Sequence, residues 1–286
     1  MLPTPLLLVP FVGLLALARP GSAQELTGRV LDDESGAPLP FVHVGVAGKN
    51  LGTVSDEAGR FAIAVEDAAD VDDELVLSRP GYAPQRLGLR EAANARPLLV
   101  RLLPTPVAAA RATARGRSGA AGADRIKTLG SKRVAEGDAC SVPGLGSELG
   151  RAIRVGGHRY RLRAVNFLLS PVTYDSILFR INVYPVAEGE PGASLLGREV
   201  FVRAVAGQTW VRRDFSAEGL VLDRDAVVSI EAVWGWSSRK GGRNVCFAIG
   251  TGGAPEVYVR RSAMDAWRVD AYPTAMLTVD TEKIKG

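Results

Sequence analysis

The sequence predicts an all-β protein made of two β-sandwiches. Between Leu26 and Tyr82, short runs of alternating apolar residues are separated by turn residues at close, regular spacing. From about Gly144 onward the same alternation returns, with turn residues between the runs. No long amphipathic helix interrupts the second region, and this combination is typical of antiparallel sandwiches.

Residues 1–23 are predicted to be a signal peptide. An apolar run from Leu6 to Ala18 is followed by small residues that end at Ala23. Prolines interrupt the run, which is too short to hold as a spanning helix. An N-terminal anchor and a buried apolar segment are the alternatives, because no Lys or Arg precedes the run. The prediction is an exported protein in the periplasm, associated with the outer membrane or extracellular.

The first sandwich is predicted over residues 24–106. Alternating runs supply side chains for the inner faces of two sheets. These inner-face residues are Val30, Phe41, Val42, Val44, Val46, Phe61, Ile63, Val65, Leu75 and Leu77. Asp56 is expected to cap its own turn, with Gly59 in a left-handed conformation. Acidic residues of this region are candidate calcium ligands, but their spacing lacks the glycine and distal glutamate of a calcium loop, so a solvated acidic turn is favoured. These acidic candidates are Asp32, Asp56, Asp70, Asp72 and Asp73.

The order of motifs in this region resembles the carboxypeptidase-regulatory-like domain. The motifs are G-x-V-x-D from Gly28, G-x-P-L-P from Gly36, a V-x-V run, G-T-x-S-D-x-x-G-x-F from Gly52, and L-x-x-S-x-x-G-Y ending at Tyr82. The resemblance implies a transthyretin-like fold and a non-catalytic scaffold or adaptor. Because such domains also precede transporter plugs, it further raises the alternative of an accessory component of an outer-membrane uptake system, acting in trans.

The chain has a net charge of +4 and a pI near 9.2. This positive charge is concentrated in a predicted linker over residues 107–143. Between Val107 and Arg133 there are seven basic residues and one acidic residue, a net charge of +6. No aromatic residue interleaves these arginines, so nucleic-acid binding is not expected. The segment is interpreted as a solvated connector, with peripheral contact to an anionic membrane surface as the alternative.

The second sandwich is predicted over residues 144–286, most simply as a jelly roll. It resembles the C-terminal sandwich that accompanies regulatory-like domains in secreted Bacteroidetes-type proteins, a resemblance that brings no known activity. The predicted strands are 159–163, 178–184, 200–205, 210–215, 227–233 and 245–249.

No motif for catalysis or for a cofactor is recognised, so the protein is predicted to be non-enzymatic and to need no cofactor or metal. His43 and His158 are the only histidines, too few for a zinc site of the usual kind, and each is expected to form a local hydrogen bond. A hydrolase acting on envelope polymers is the alternative, if carboxylates such as Glu231, Glu256 and Asp265 converge in space.

Tryptophans are the best candidates for a binding surface. Trp234 and Trp236 lie two residues apart and would point to the same side of a strand, and Trp210 and Trp267 are possible neighbours. Tryptophan rings stack on sugar C–H faces, so a glycan or an envelope protein is the expected partner. Packing of the same rings in the core is the alternative.

The two cysteines of the chain, Cys140 and Cys246, are candidates for a disulfide. An exported protein folds in an oxidising compartment, where such a bond persists. A buried free thiol at Cys246 is the alternative. The sequence does not indicate the oligomeric state.

Overall fold

The structure is a computed structural model that describes residues 24–65, 72–105, 126–139, 145–170, 174–238, 245–270 and 274–284. Two hydrophobic cores, one for each sandwich, are enclosed by β-sheets. The predicted all-β class with two β-sandwiches is therefore confirmed. The predicted signal peptide lies outside the described residues. Within the described ranges, no helix is both long and apolar enough to cross a membrane.

The elements of the first sandwich are, in chain order, β1 (Gln24–Asp32), β2 (His43–Val46), β3 (Gly52–Val54), β4 (Arg60–Val65), β5 (Glu74–Ser78), β6 (Gln85–Gly88), α1 (Leu89–Asn94) and β7 (Leu98–Leu102). The sheet β4-β1-β7 packs against the sheet β3-β2-β5-β6, with β1 parallel to β7.

Alternation places the predicted apolar residues in the first core. In β4, Phe61 and Ile63 are buried while their neighbours Arg60 and Ala62 are exposed, as a half-buried strand requires. Phe41 is the exception among the predicted inner-face residues. Its φ of 59° turns it out of the strand pattern, and its ring packs against Phe201 of the second sandwich, at 5.4 Å between centroids.

The turn after β3 has the predicted chemistry. Asp56 Oδ1 accepts hydrogen bonds from the backbone N–H groups of Ala58, at 2.9 Å, and Arg60, at 2.8 Å. Gly59 adopts a φ of 73°, and a Cβ there would lie 2.5 Å from the carbonyl oxygen of Val30. Asp32 likewise accepts hydrogen bonds from local donors. Of the acidic residues weighed as calcium ligands, Asp70 lies outside the described residues, and no metal-binding group of three is found among the described ones.

The elements of the second sandwich are, in chain order, β8 (Ile126–Gly130), β9 (Arg133–Ala139), β10 (Glu148–Ile153), β11 (Arg159–Leu168), β12 (Ser176–Ala187), β13 (Glu190–Pro191), β14 (Val200–Val205), β15 (Trp210–Asp214), a 3₁₀ turn (Ser216–Glu218), β16 (Val221–Leu222), β17 (Ala226–Trp236), β18 (Phe247–Thr251), β19 (Val257–Arg260), β20 (Arg268–Asp270), β21 (Thr274–Ala275) and β22 (Leu277–Ile284). A large sheet, β13-β12-β17-β10-β19-β20 with β14 also paired to β12, packs against a second sheet, β15-β11-β22-β8 with β16 paired to β11. A small sheet, β21-β18-β9, completes the sandwich.

Three phenylalanines mark the centre of the second core. Phe167 of β11, Phe179 of β12 and Phe247 of β18 contact one another with ring centroids 5.3–6.1 Å apart. Each is fully buried or nearly so. Edge-to-face and tilted arrangements at this spacing are favourable for aromatic rings, and they join the large sheet to the strands that face it.

The predicted linker ends earlier than its expected boundary at residue 143. Residues 126–130 form β8, which pairs with β22, and residues 133–139 form β9, which pairs with β18. In β8 the two apolar residues lie three positions apart, and β9 contains three charged residues, so neither strand shows the alternation that marks a half-buried strand. Charged residues such as those of β9 are common at sheet edges, where they discourage pairing with other chains.

Candidate functional site: the outer face of the large sheet

The two faces of the large sheet differ in character. In β12, Phe179, Ile181 and Val183 belong to the second core, so Arg180 and Asn182 point to the opposite, outer face. Both are nonetheless buried, with Arg180 only 1% exposed. The outer face is therefore covered at this level, and the cover is the first sandwich.

A row of five residues crosses the outer face from strand to strand. The strand registers place each residue beside the next, in the order Arg260, Glu148, Glu231, Arg180 and Phe201. We call it the charged row. Glu148 is 1% exposed and Glu231 is fully buried. Two adjacent carboxylates are thus flanked by one arginine on each side, and the row carries no net charge.

Glu148 is surrounded by hydrogen-bond donors. Its Oε1 accepts from Asn182 Nδ2 and from the Tyr184 hydroxyl, each at 2.9 Å, and also from the Ser229 hydroxyl. Its Oε2 accepts from the Arg260 guanidinium. Burial, reinforced by the negative charge of Glu148, raises the pKa of Tyr184 well above its ordinary value. The phenol therefore remains a donor to Glu148.

The first sandwich closes over the charged row through β2. His43 Nε2 lies 2.5 Å from Glu231 Oε1 and 2.8 Å from Arg180 Nη1. Because a carboxylate only accepts, Nε2 must donate to Glu231. Arg180 also donates to the backbone carbonyl of Phe41. One histidine and one arginine thus tie the two sandwiches together across the buried carboxylate.

Electrostatics keep Glu231 ionised despite its burial. Burial alone would raise the pKa of this carboxyl, but the positive charges of Arg180 and His43 outweigh it and hold the pKa well below the usual range for glutamate. Arg180 Nη1 lies 3.3 Å from Glu231 Oε2, and Asn182 donates to the same oxygen at 3.2 Å. A carboxylate with this pKa is a poor proton donor or acceptor near neutral pH, so the geometry favours a structural role.

Close backbone approach extends the contact between the sandwiches. Gly45 and Gly52 face each other in β2 and β3, and a Cβ would lie 2.5 Å and 2.1 Å, respectively, from the carbonyl oxygen of Ala263. The Gly48 N–H donates to the Met264 carbonyl at 2.9 Å. Only residues without a side chain allow the chain around Ala263 to lie this close to β2 and β3.

A second ion-pair bridge joins the sandwiches beside the charged row. Arg79 lies 2.8 Å from Glu199, which in turn lies 2.9 Å from Arg180. All three side chains are largely buried. The charged row is thus connected, through Arg180, to a further cation of the first sandwich.

The charged row was not predicted from the sequence. Arg180 and Glu231 alternate with apolar residues, which is the pattern of a solvated sheet face, and nothing in that pattern shows that a second domain covers it. The expectation of a local hydrogen bond for His43 was wrong, because its partner lies in the other sandwich. His158 is exposed and lies 3.5 Å from Lys283.

The structure places Trp234 and Trp236 at the open end of the outer face. Both follow a register irregularity in β17, opposite Leu178 and Ser176 of β12. Trp236 is 54% exposed. Trp234 is half-buried, and the Arg203 guanidinium lies 5.1 Å from the centre of its ring. These two rings lie on the same face as the charged row, but beyond the part that the first sandwich covers.

The other two predicted tryptophans lie elsewhere. Trp267 is half-buried at the opposite end of the outer face, where its ring contacts Tyr184 at 5.5 Å, Tyr258 at 6.5 Å and the Arg260 guanidinium at 4.6 Å. Trp210 is 48% exposed, but it belongs to β15 of the second sheet. The structure therefore brings Trp234 and Trp236 together and leaves Trp210 and Trp267 apart from them.

The carboxylates weighed for hydrolysis are not gathered into one site. Glu231 lies in the charged row, whereas Glu256 precedes β19 and pairs with Arg154. Asp265 is buried and caps its own turn by accepting from the Ala266 N–H at 2.9 Å. Each of the three carboxylates has its own partners.

The predicted disulfide between Cys140 and Cys246 stays a prediction, because Cys140 lies outside the described residues. Cys246 is buried, and it precedes Phe247, which pairs with Ala139. We expect the intact mass of the unreduced, oxidised protein to be about 2 Da below that of the reduced protein. Two thiols titrated in the denatured, unreduced protein would contradict the pairing.

Comparisons with known proteins place the first sandwich in a family. The model of the CarboxypepD_reg-like domain matches residues 26–102. Among curated proteins, none matches the sequence of this chain.

Solved structures give only distant similarities. A clostridial cysteine protease, Cwp84 after propeptide cleavage, is 8% identical with a TM-score of 0.42, over 90% of this chain and 70% of that one. The cysteine protease and lectin-like domains of Cwp84, a surface-layer-associated protein of Clostridium difficile, are 7% identical with a TM-score of 0.41, over 92% and 59% of the two chains. The VP2 subviral particle of infectious bursal disease virus is 10% identical with a TM-score of 0.24, over 86% and 62%.

These structural similarities are too low to define a shared fold. The family match, by contrast, covers the first sandwich from the third residue of β1 to the end of β7. It also spans the five motifs from Gly28 to Tyr82. Residues 26–102 therefore form a CarboxypepD_reg-like domain.

Proposed function

We propose that this chain is a non-catalytic, exported cell-envelope protein that binds a surface glycan through Trp234 and Trp236. In this proposal the CarboxypepD_reg-like domain, a non-catalytic regulatory or binding-type module, acts as the scaffold. It covers the charged row and leaves the tryptophan end of the same face open. An envelope protein bound at this surface is the second form of partner.

The exposure of Trp236 is the observation that carries the proposal. Its indole is 54% exposed beside Trp234, and Val205, in line with it across β12, is 51% exposed. Large apolar side chains grouped on a surface mark binding sites more often than single exposed residues do. Arg203 lies over the Trp234 ring, which orients the ring and leaves a polar group at the edge of the surface, as sugar hydroxyls require.

The partners of the buried carboxylates support a non-catalytic protein. Glu148 and Glu231 are both buried and both held in ion pairs with arginine. A glycosidase requires one carboxyl with a raised pKa and access for substrate between the two, whereas Glu231 has a lowered pKa and is covered by His43.

Retention on envelope glycans tests the proposal. Two assays compare the purified proteins: affinity electrophoresis in soluble envelope polysaccharide and co-sedimentation with insoluble cell-wall polymer. The proteins are the wild type, a Trp234→Ala/Trp236→Ala double variant and a Trp210→Ala control. We expect the double variant to bind at least about tenfold more weakly, because stacked aromatic rings dominate such contacts. The control removes an equally exposed indole from the other sheet and is expected to bind as wild type.

Two results would contradict the glycan proposal. Equal retention of all three proteins, with unchanged near-ultraviolet circular dichroism, would exclude Trp234 and Trp236 as the residues that bind the glycan. Failure of every glycan preparation to retain the wild type, together with tryptophan-dependent capture of one envelope protein, would replace the glycan by a protein partner.

A further inference from the structure

Strand β8 forms an edge of the second sheet. Among the described residues it pairs with β22 on one side and with no strand on the other. The Lys127 carbonyl faces β22, where it accepts a hydrogen bond from the Thr281 hydroxyl at 2.7 Å. Because backbone groups alternate in direction along an antiparallel strand, the N–H and C=O of Thr128 point away from the sheet.

A cleft runs along this edge. Its volume is about 570 Å³, and one wall is β8 from Lys127 to Gly130. The opposite wall is formed by Arg154 and the segment from Gly253 to Glu256. A cleft of this size is in the range that holds small ligands or short peptide segments, and the outward backbone groups of β8 line it.

The charge of the cleft is positive. Three cations, Lys127, Lys132 and Arg154, and one anion, Glu256, line it, which leaves a net charge of +2. Arg154 is already paired with Asp225 and Glu256. Lys127 donates to the neutral Tyr160 hydroxyl at 3.0 Å, and neither lysine forms an ion pair with a residue that the structure describes. The unneutralised charge therefore lies on two lysines, one at each end of β8.

We propose that this cleft, the β8 cleft, binds an extended acidic peptide segment. The segment adds as a strand to β8, pairing its backbone with the outward groups of Thr128, while its carboxylates meet Lys127 and Lys132. Strand addition to an open sheet edge is a common mode of peptide recognition, in which backbone hydrogen bonds supply affinity and side chains supply specificity. An anionic polysaccharide would meet the lysines but leave the outward N–H of β8 without a matching partner, so the edge favours a peptide.

Fluorescence anisotropy with a labelled Glu-Val-Glu-Val-Glu peptide tests the proposal at low salt. We expect half-saturation below about 1 mM and at least tenfold weaker binding by a Lys127→Glu/Lys132→Glu variant. Thr128→Pro removes the outward N–H at an edge position where proline is tolerated, so it should also weaken binding at least tenfold. Thr128→Val, which keeps the backbone, is the matched control and should bind within about twofold of wild type.

The peptide itself supplies a test that needs no protein variant. An N-methylated version of the same sequence keeps its carboxylates but cannot donate backbone hydrogen bonds, and it should bind at least tenfold more weakly. Three results would overturn the proposal: no binding of the parent peptide up to 1 mM, equal binding of the N-methylated peptide, or displacement by dextran sulfate combined with unchanged binding to folded Thr128→Pro. The last two would show that the lysines attract polyanions in general.

Discussion

Replacing Arg180 by methionine should lower the free energy of unfolding by about 3–5 kcal/mol. The substitution preserves much of the side-chain volume but leaves Glu231 fully buried without its arginine. His43 and Asn182 would still contact Glu231, yet only His43 could carry a compensating charge. Urea unfolding followed by tryptophan fluorescence measures the effect, because the four tryptophans all lie between residues 210 and 267, in the second sandwich.

Arg224→Met is the matched control for this prediction. Arg224 pairs with Asp223, and both side chains are more than half exposed, so its replacement should change the free energy of unfolding by less than about 1 kcal/mol. Equal effects of the two substitutions would show that the charged row contributes no more than a surface ion pair.

The double variant Arg180→Met/Glu231→Leu separates the cost of an uncompensated charge from the value of the ion pair. Removing both charges leaves no buried carboxylate at this position of the row, and apolar replacement of a buried pair is often neutral or stabilising. The double variant should therefore be more stable than Arg180→Met alone. If it is less stable, the contacts of Glu231 with His43 and Asn182 outweigh the cost of its uncompensated charge.

Local alternation was sufficient to predict the sandwiches themselves. The predicted strand 159–163 lies within β11, where Tyr160 and Leu162 are buried and Arg159 is exposed, as the pattern requires. The six predicted strands of the second sandwich all overlap observed ones. Apolar and polar residues alternate in these strands because one face of each strand contacts the core directly.

The same reasoning could not predict what covers the other face. Glu148, Arg180 and Glu231 occupy outward positions, and polar residues at such positions ordinarily meet solvent. The burial of Arg180 and Glu231 depends on the docking of the first sandwich through His43, which is more than 100 residues away from both in sequence. The local sequence pattern gives no indication of that contact. Gly45 and Gly52 were the only sequence signal of the contact between the sandwiches, because a glycine inside a strand often marks close backbone approach.

The tryptophans show a related limit. Spacing alone was enough to expect Trp234 and Trp236 on one side of a strand, but not to choose between core and surface. The choice depends on a register irregularity between Leu178 and Phe179 of β12, opposite which β17 contains one extra residue. Because of this extra residue, the side chains of β17 exchange faces at the irregularity, whereas those of β12 continue to alternate. An irregularity of this kind has no clear sequence signature.

Replacing Gly52 by alanine should loosen the contact between the sandwiches and lower the free energy of unfolding by about 1–3 kcal/mol. The new Cβ would lie 2.1 Å from the Ala263 carbonyl oxygen, and because this obstacle is backbone, no side-chain rotation relieves it. The Gly48 N–H, which donates to Met264 across the same contact, should then lose protection from hydrogen–deuterium exchange.

Gly88→Ala is the control that isolates this clash. A Cβ at Gly88 meets nothing within 4 Å, and its φ of −56° suits any residue. Because Gly88 is the N-cap of α1, where alanine is less favourable than glycine, the substitution should change the free energy of unfolding by less than about 1 kcal/mol. If Gly52→Ala leaves the protection of Gly48 at its wild-type value, the close approach of the sandwiches is not needed to hold them together. If protection falls only in Gly52→Ala, the close approach of Gly52 to the Ala263 carbonyl is needed to hold the Gly48 hydrogen bond between the sandwiches.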